Sequence, residues 1–169
     1  MDIEVLEMSA LDFKKIVLKK FRGKVFHITN EINYKSILDC GEILATNTIE
    51  NPNINWGSEE NMSYFRSQNC ISVCDLFHNK DVRKIDEAMD KYSLWNPTSV
   101  VKDEIAYYLV LDESIYTQCI TWGSLKSKKI LVRKEIVRNF ESGIPDRIRF
   151  SDISQVIKLV TTDKLKEQK

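Results

Sequence analysis

Val25 to Leu44, VFHITNEINYKSILDCGEIL, is the stretch from which the rest of the chain can be placed. Its first four residues are a short apolar strand, and His27 and Thr29 put polar groups at the strand's end. Asn30 has the side chain that accepts from the free N–H groups of a new helix, and Glu31 suits the positive end of that helix. Ile32, Ile37 and Leu38 make a loosely helical apolar set, and Gly41 stands where a left-handed helix end is wanted. Strand, polar turn, capped helix and glycine form a unit with a buried side and an open end. His27, Thr29 and Asn33 lie near that open end.

Upstream, residues 9 to 22 predict a helix: Ser9 and Asp12 form a cap, Ala10, Phe13 and Val17 share a face, and Gly23 stops it. Downstream, residues 45 to 62 predict a long loop containing Trp56. Tyr64, Phe65 and Arg66 lead into a strand from Cys70 to Leu76, and Asp81 caps a helix reaching about Tyr92. Asn96-Pro97 breaks the chain. Ile105 to Leu111, IAYYLVL, is apolar on both faces and predicts a central strand. Asp112 caps a short helix to Ile120, Lys129 to Phe140 predicts one or two strands, a turn follows Pro145, and Gln155 to Val160 forms the last strand. Residues 162 to 169 read as a frayed tail. The elements alternate without a βαβ rhythm. The class expected is α+β, one domain over residues 1–169, with a mostly antiparallel or mixed sheet of about five to seven strands and helices at its edges.

Among the 169 residues, 25 Lys and Arg balance 25 Asp and Glu, which excludes a global bias toward nucleic acid or membrane. Locally, Lys14, Lys15, Lys19, Lys20, Arg22 and Lys24 cluster early, and Lys126, Lys128, Lys129, Arg133, Lys134 and Arg138 late. Either cluster suits phosphate contacts or a solvated face. The N-terminus carries acids where a signal peptide needs basic residues, and no apolar run approaches the roughly 20 residues of a bilayer span. A cytoplasmic protein without a membrane partner is expected. Of the four cysteines, Cys70 and Cys74 lie in CISVCDL, a strand, which separates them by roughly 13 Å at about 3.3 Å per residue. That is too far for one zinc ion, whose thiolates lie at about 2.3 Å. No metal site is expected.

His27-x-Thr29, then Asn33, then Ser36-Ile37-Leu38 and Gly41 resembles the first motif of the ADP-ribosyltransferase superfamily, H-x-T followed by N-x-x-S-I-L-x-x-G. The nearest branch is that of DarT-type DNA ADP-ribosyltransferases, and more loosely the RNA 2′-phosphotransferases. Ser63-Tyr64-Phe65-Arg66 before CISVCDL is similar in placement to the second block, and Ile144-Pro145 with Ile153 to Ile157 to the last. The family's commonest form begins a late strand with glutamate. Here Lys128 or Lys129 holds that place, leaving Glu135, followed by Ile136-Val137, slightly ahead of Glu141, followed by Gly143-Ile144-Pro145.

The resemblance implies a split sheet and NAD⁺ as substrate. Cleavage of the bond between nicotinamide and ribose passes through an oxocarbenium-like state that a carboxylate, Glu135 or Glu141, stabilises. His27 would hold a ribose hydroxyl with Thr29 in support, Asn33 would add an amide contact, Arg66 would meet pyrophosphate or ribose, and Tyr64 would stack on nicotinamide. The acceptor would be a nucleic acid or a protein, in a toxin or anti-phage role that also implies an antitoxin partner. A catalytically inactive relative, binding a nucleotide or protein through the same cleft, is the alternative. A hydrolase using His27 with Asp75 or a cysteine has little support. His78 reads as a surface residue, and Asp75 as the end of a strand facing a loop.

Overall fold

The computed structural model describes residues 2–45, 64–92, 104–127 and 140–162. Its centre is the run that is apolar on both faces. Strand β5 (Ile105–Leu111) is buried at six of its seven positions, as a strand covered on both sides must be. It is flanked by β9 (Ile153–Thr161) and β2 (Val25–Thr29). The sheet continues outward through β1 (Ile3–Met8) on one side. On the other come β4 (Cys70–Asp75), β7 (Glu141–Pro145) and β6 (Ile120–Thr121), giving the order β1-β9-β5-β2-β4-β7-β6. β1 runs parallel to β9, and the other pairs are antiparallel. A second, two-stranded sheet joins β3 (Glu42–Leu44) to β8 (Arg147–Arg149). The class is α+β with a mixed, mostly antiparallel sheet, as expected.

Helix α1 (Ala10–Phe21) covers one face. Ser9 Oγ accepts from Asp12 N at 3.1 Å to start it, and Phe13, Val17 and Phe21 are turned inward. Phe21 lies 4.4 Å from the Phe26 ring and 5.3 Å from that of Tyr108, both stacked. Each such side chain stabilises by about 1.5–3 kcal/mol through burial alone. Helix α2 (Glu31–Cys40) covers the other face. Asn30 Oδ1 accepts from Asn33 N at 2.8 Å, and Gly41, at φ 75°, closes the helix by donating to Ile37 O. The buried residues of α2 are Tyr34 and Ile37, whereas Ile32 and Leu38, expected to face inward, are 65% and 46% exposed. Tyr34 replaces them by stacking on Tyr107 of β5 at 4.0 Å, an arrangement that adds about 0.5–1.5 kcal/mol beyond its area.

Several elements differ from expectation. IEVLEM forms edge strand β1, with Ile3 and Val5 exposed and Glu4 bonded to Lys20 of α1 and Gln155 of β9. Tyr64–Ser67 is a single helical turn, α3. Asp81 does precede α4 (Val82–Tyr92), accepting from Lys84 N at 3.2 Å. Glu113–Gln118 is a 3₁₀ helix, and Trp122 starts the short helix α5 (Trp122–Ser127) where a stop was expected. The Pro145 region holds β7 and β8, not a turn alone. The expected loop from 46, Trp56, the strand over 129–139 and the tail from 163 lie outside the described residues. No helix among the described residues is long and apolar enough to cross a membrane.

Candidate functional site

The sheet opens between β2 and β4. Their ladder has two pairs, Val25 with Asp75 and Phe26 with Cys74. β2 nevertheless pairs with β5 as far as Thr29, and β4 pairs with β7 back to Cys70. Beyond Phe26 the two strands therefore splay, and the first side chain past the last pair is His27. Its Nδ1 lies 3.0 Å from the backbone oxygen of Ser72 across the opening. A carbonyl only accepts, so Nδ1 carries the proton and donates. Burial holds the imidazole down at about pKa 4, with nearby Arg66 lowering it further and the Ser72 carbonyl opposing both. The ring is neutral at pH 7, which leaves Nε2 as a hydrogen-bond acceptor.

That shift makes stability depend on pH. Between about pH 6.5 and about 4 the unfolded chain protonates residue 27 while the native chain does not, so stability falls as the pH falls through that window. The loss reaches on the order of 2–3 kcal/mol. Urea midpoints at pH 7 and pH 4.5 are expected to differ more for the parent chain than for His27→Gln. Equal differences in the two chains would refute the assignment.

Ser72 is bonded on its other side as well. Its hydroxyl donates to Glu141 Oε1 at 2.5 Å, so a hydrogen-bonded path runs from β2 through β4 to β7. Glu141 is 6% exposed. The group that His27 meets across the opening is the Ser72 carbonyl, not a carboxylate. Glu141 stands one strand further on, registered opposite Cys74 and so on the Phe26 face of the pleat. The Arg66 guanidinium of α3 links the two: its field reaches His27, while the Glu141 charge favours the guanidinium against the burial that lowers its pKa.

α3 is seated by a close approach. Gly143 of β7 lies beneath Phe65, and a Cβ there would fall 2.9 Å from Phe65 Cγ and 3.0 Å from Cys70 Cβ. Gly143→Ala is expected to destabilise by about 1–3 kcal/mol through overpacking, read as a lower urea midpoint at unchanged slope. An unchanged midpoint would show that α3 is free to shift.

Of the remaining expected site residues, Thr29 is 1% exposed and lies beneath the surface, where it supports the strand end. Asn33 is half-buried, and its backbone, not its amide, makes the cap. The side chain of Tyr64 and all of Glu135 lie outside the described residues. The early lysines are largely engaged: Lys14 pairs with Asp90, Lys15 with Asp12 and Lys20 with Glu4, and Lys24 bonds Gln155. The late basic cluster falls outside the described side chains. Cys70 and Cys74 occupy one strand, and burial raises both thiols, Cys74 strongly.

A second cluster was not visible as a unit in the sequence. Asp75 ends β4 and faces the turn that follows, as expected, but it is 0% exposed. Its Oδ1 accepts from Phe77 N at 3.1 Å and His78 N at 2.9 Å. Oδ2 accepts from Ser142 Oγ at 2.6 Å and contacts His78 Nδ1 at 2.8 Å. His78 is exposed, as read from the sequence, and is tied there to a buried carboxylate. Cys119 comes in from the segment before β6, and one ligand atom each of Asp75, His78 and Cys119 lies within 4.8 Å of the others. The spacing Asp75-x-x-His78 at a strand end was the available signal, but Cys119 and Ser142 join it only through the tertiary fold.

Comparison of the chain with protein-family models, with curated proteins and with solved structures found no match to any of them.

Proposed function

We propose that this chain transfers ADP-ribose from NAD⁺, with Glu141 as the carboxylate that stabilises the ribosyl cation. The observation that carries the reading is that Ser72 bonds His27 through its carbonyl and Glu141 through its hydroxyl beside the opening of the sheet, with the Arg66 charge acting on His27 and the Glu141 charge on Arg66. A neutral imidazole whose Nδ1 is committed to a carbonyl presents Nε2 as an acceptor, the chemistry needed to hold a ribose hydroxyl. The bond between the ribose carbon and nicotinamide breaks with its electron pair leaving on nicotinamide. An acceptor nucleophile, from a nucleic acid or a protein, then forms the new bond to that carbon and loses a proton. Positive charge grows on the ribose in between, and a fixed carboxylate held in a poorly solvated place opposes it more strongly than water does. Arg66 supplies a cation for the pyrophosphate.

Nicotinamide release from NAD⁺, followed with nucleic-acid and protein acceptor pools, tests the reading. Ser72→Ala removes the hydroxyl on Glu141 but keeps the carbonyl that orients His27. It is expected to lower release about tenfold, or about 1.4 kcal/mol, with KM for NAD⁺ little changed. The second reading is a nucleotide-binding relative without catalysis, favoured by the burial of Glu141 at 6% exposure and by its place on the face of the pleat opposite His27. It is distinguished by NAD⁺ binding without nicotinamide release from any acceptor pool.

A further inference from the structure

The geometry points to a site for a thiophilic divalent cation of the zinc class, formed by Asp75, His78 and Cys119 and independent of the transferase reading. These residues offer one oxygen, one nitrogen and one sulfur, and the three atoms lie within 4.8 Å of one another. Zinc takes such a set with oxygen and nitrogen at about 2.0–2.2 Å and sulfur at about 2.3 Å, and three protein ligands leave a fourth position for water. The Asp75 to His78 contact is already 2.8 Å, so the closure required is mainly that of the Cys119 thiol. The sulfur excludes magnesium and calcium, which prefer oxygen sets.

The carboxylate is oriented in advance. Two backbone N–H groups hold Oδ1, and Ser142 Oγ holds Oδ2 at 2.6 Å, the kind of support that fixes a ligating oxygen. Phe77 stands edge-on to the imidazole at 4.9 Å and also packs on Tyr116 at 4.9 Å, so an apolar wall shields one side. The His78 side chain, 31% exposed, leaves the other side open to entry. Binding would release the thiol proton, leaving neutral imidazole and thiolate as ligands.

The test is cobalt(II) and zinc(II) titration of the purified full-length chain, with the cysteines kept reduced by a phosphine. One cobalt per chain is expected, with the near-ultraviolet band of a thiolate–cobalt bond, displaced by zinc. Cys119→Ser is expected to abolish the band, and His78→Ala to weaken zinc binding at least about tenfold. Cys40→Ser and Cys74→Ala are expected to leave both unchanged. His78 is exposed and Cys119 half-buried, and circular dichroism confirms that their variants fold. Absence of the band in the parent chain, or its persistence in Cys119→Ser, overturns the proposal.

Discussion

Glu141→Gln is expected to lower nicotinamide release from NAD⁺ by about 10²- to 10³-fold, or about 2.7–4 kcal/mol of transition-state stabilisation. The substitution suits the site because glutamine keeps an oxygen that accepts from Ser72 Oγ, replacing the 2.5 Å bond without changing the side chain's length. What disappears is the charge. Affinity for NAD⁺ should stay within about threefold, since the carboxylate acts on a cation that exists only as the glycosidic bond breaks. His27→Ala should behave differently, raising KM together with lowering kcat, because Nε2 is assigned to the ground-state hold on ribose as well. Measurement of kcat and KM for both variants separates these roles. Full activity in Glu141→Gln combined with its loss in Glu135→Gln would transfer the role to the other candidate glutamate and remove the hydrogen-bonded path from the mechanism.

The parts of the fold that could be read from sequence are those fixed by local chemistry. Asn30 caps its helix and Gly41 ends it because each satisfies backbone groups within four residues of itself. IAYYLVL declares a central strand because both of its faces are apolar. β1 was missed because an edge strand buries little: IEVLEM alternates exposed and half-buried residues, with acids among them. β7 was missed for another reason. ESGIP contains a charge, a glycine and a proline, and forms a strand because β4 pairs with it over five residues. Sequence marked His27 and Glu141 through a family-like pattern, but Ser72, which bonds both, carried no such mark. Its place is set by where β2 and β4 stop pairing, a long-range property. The same limit hid the Asp75 cluster, whose members come from positions 75, 78, 119 and 142.

Asp75→Ala is expected to destabilise the chain by about 3–5 kcal/mol in chelator-treated buffer, and Asp75→Asn by only about 1 kcal/mol. The carboxylate is 0% exposed and meets two backbone N–H groups, a serine hydroxyl and an imidazole nitrogen. Alanine removes every acceptor and leaves those groups beside a cavity, with a desolvation cost for each and loss of a charged partner. Asparagine keeps the oxygen that serves Phe77 N and His78 N. Its amide takes the place of Oδ2, where both partners can reverse roles: Ser142 Oγ can accept, and His78 can present an unprotonated Nδ1. The prediction therefore separates shape and hydrogen bonding from charge. Equal losses in the two variants, measured by urea denaturation at pH 7, would show that the negative charge of residue 75 supports the junction of β4, β6 and β7, and that exchange of donor and acceptor roles there is not tolerated.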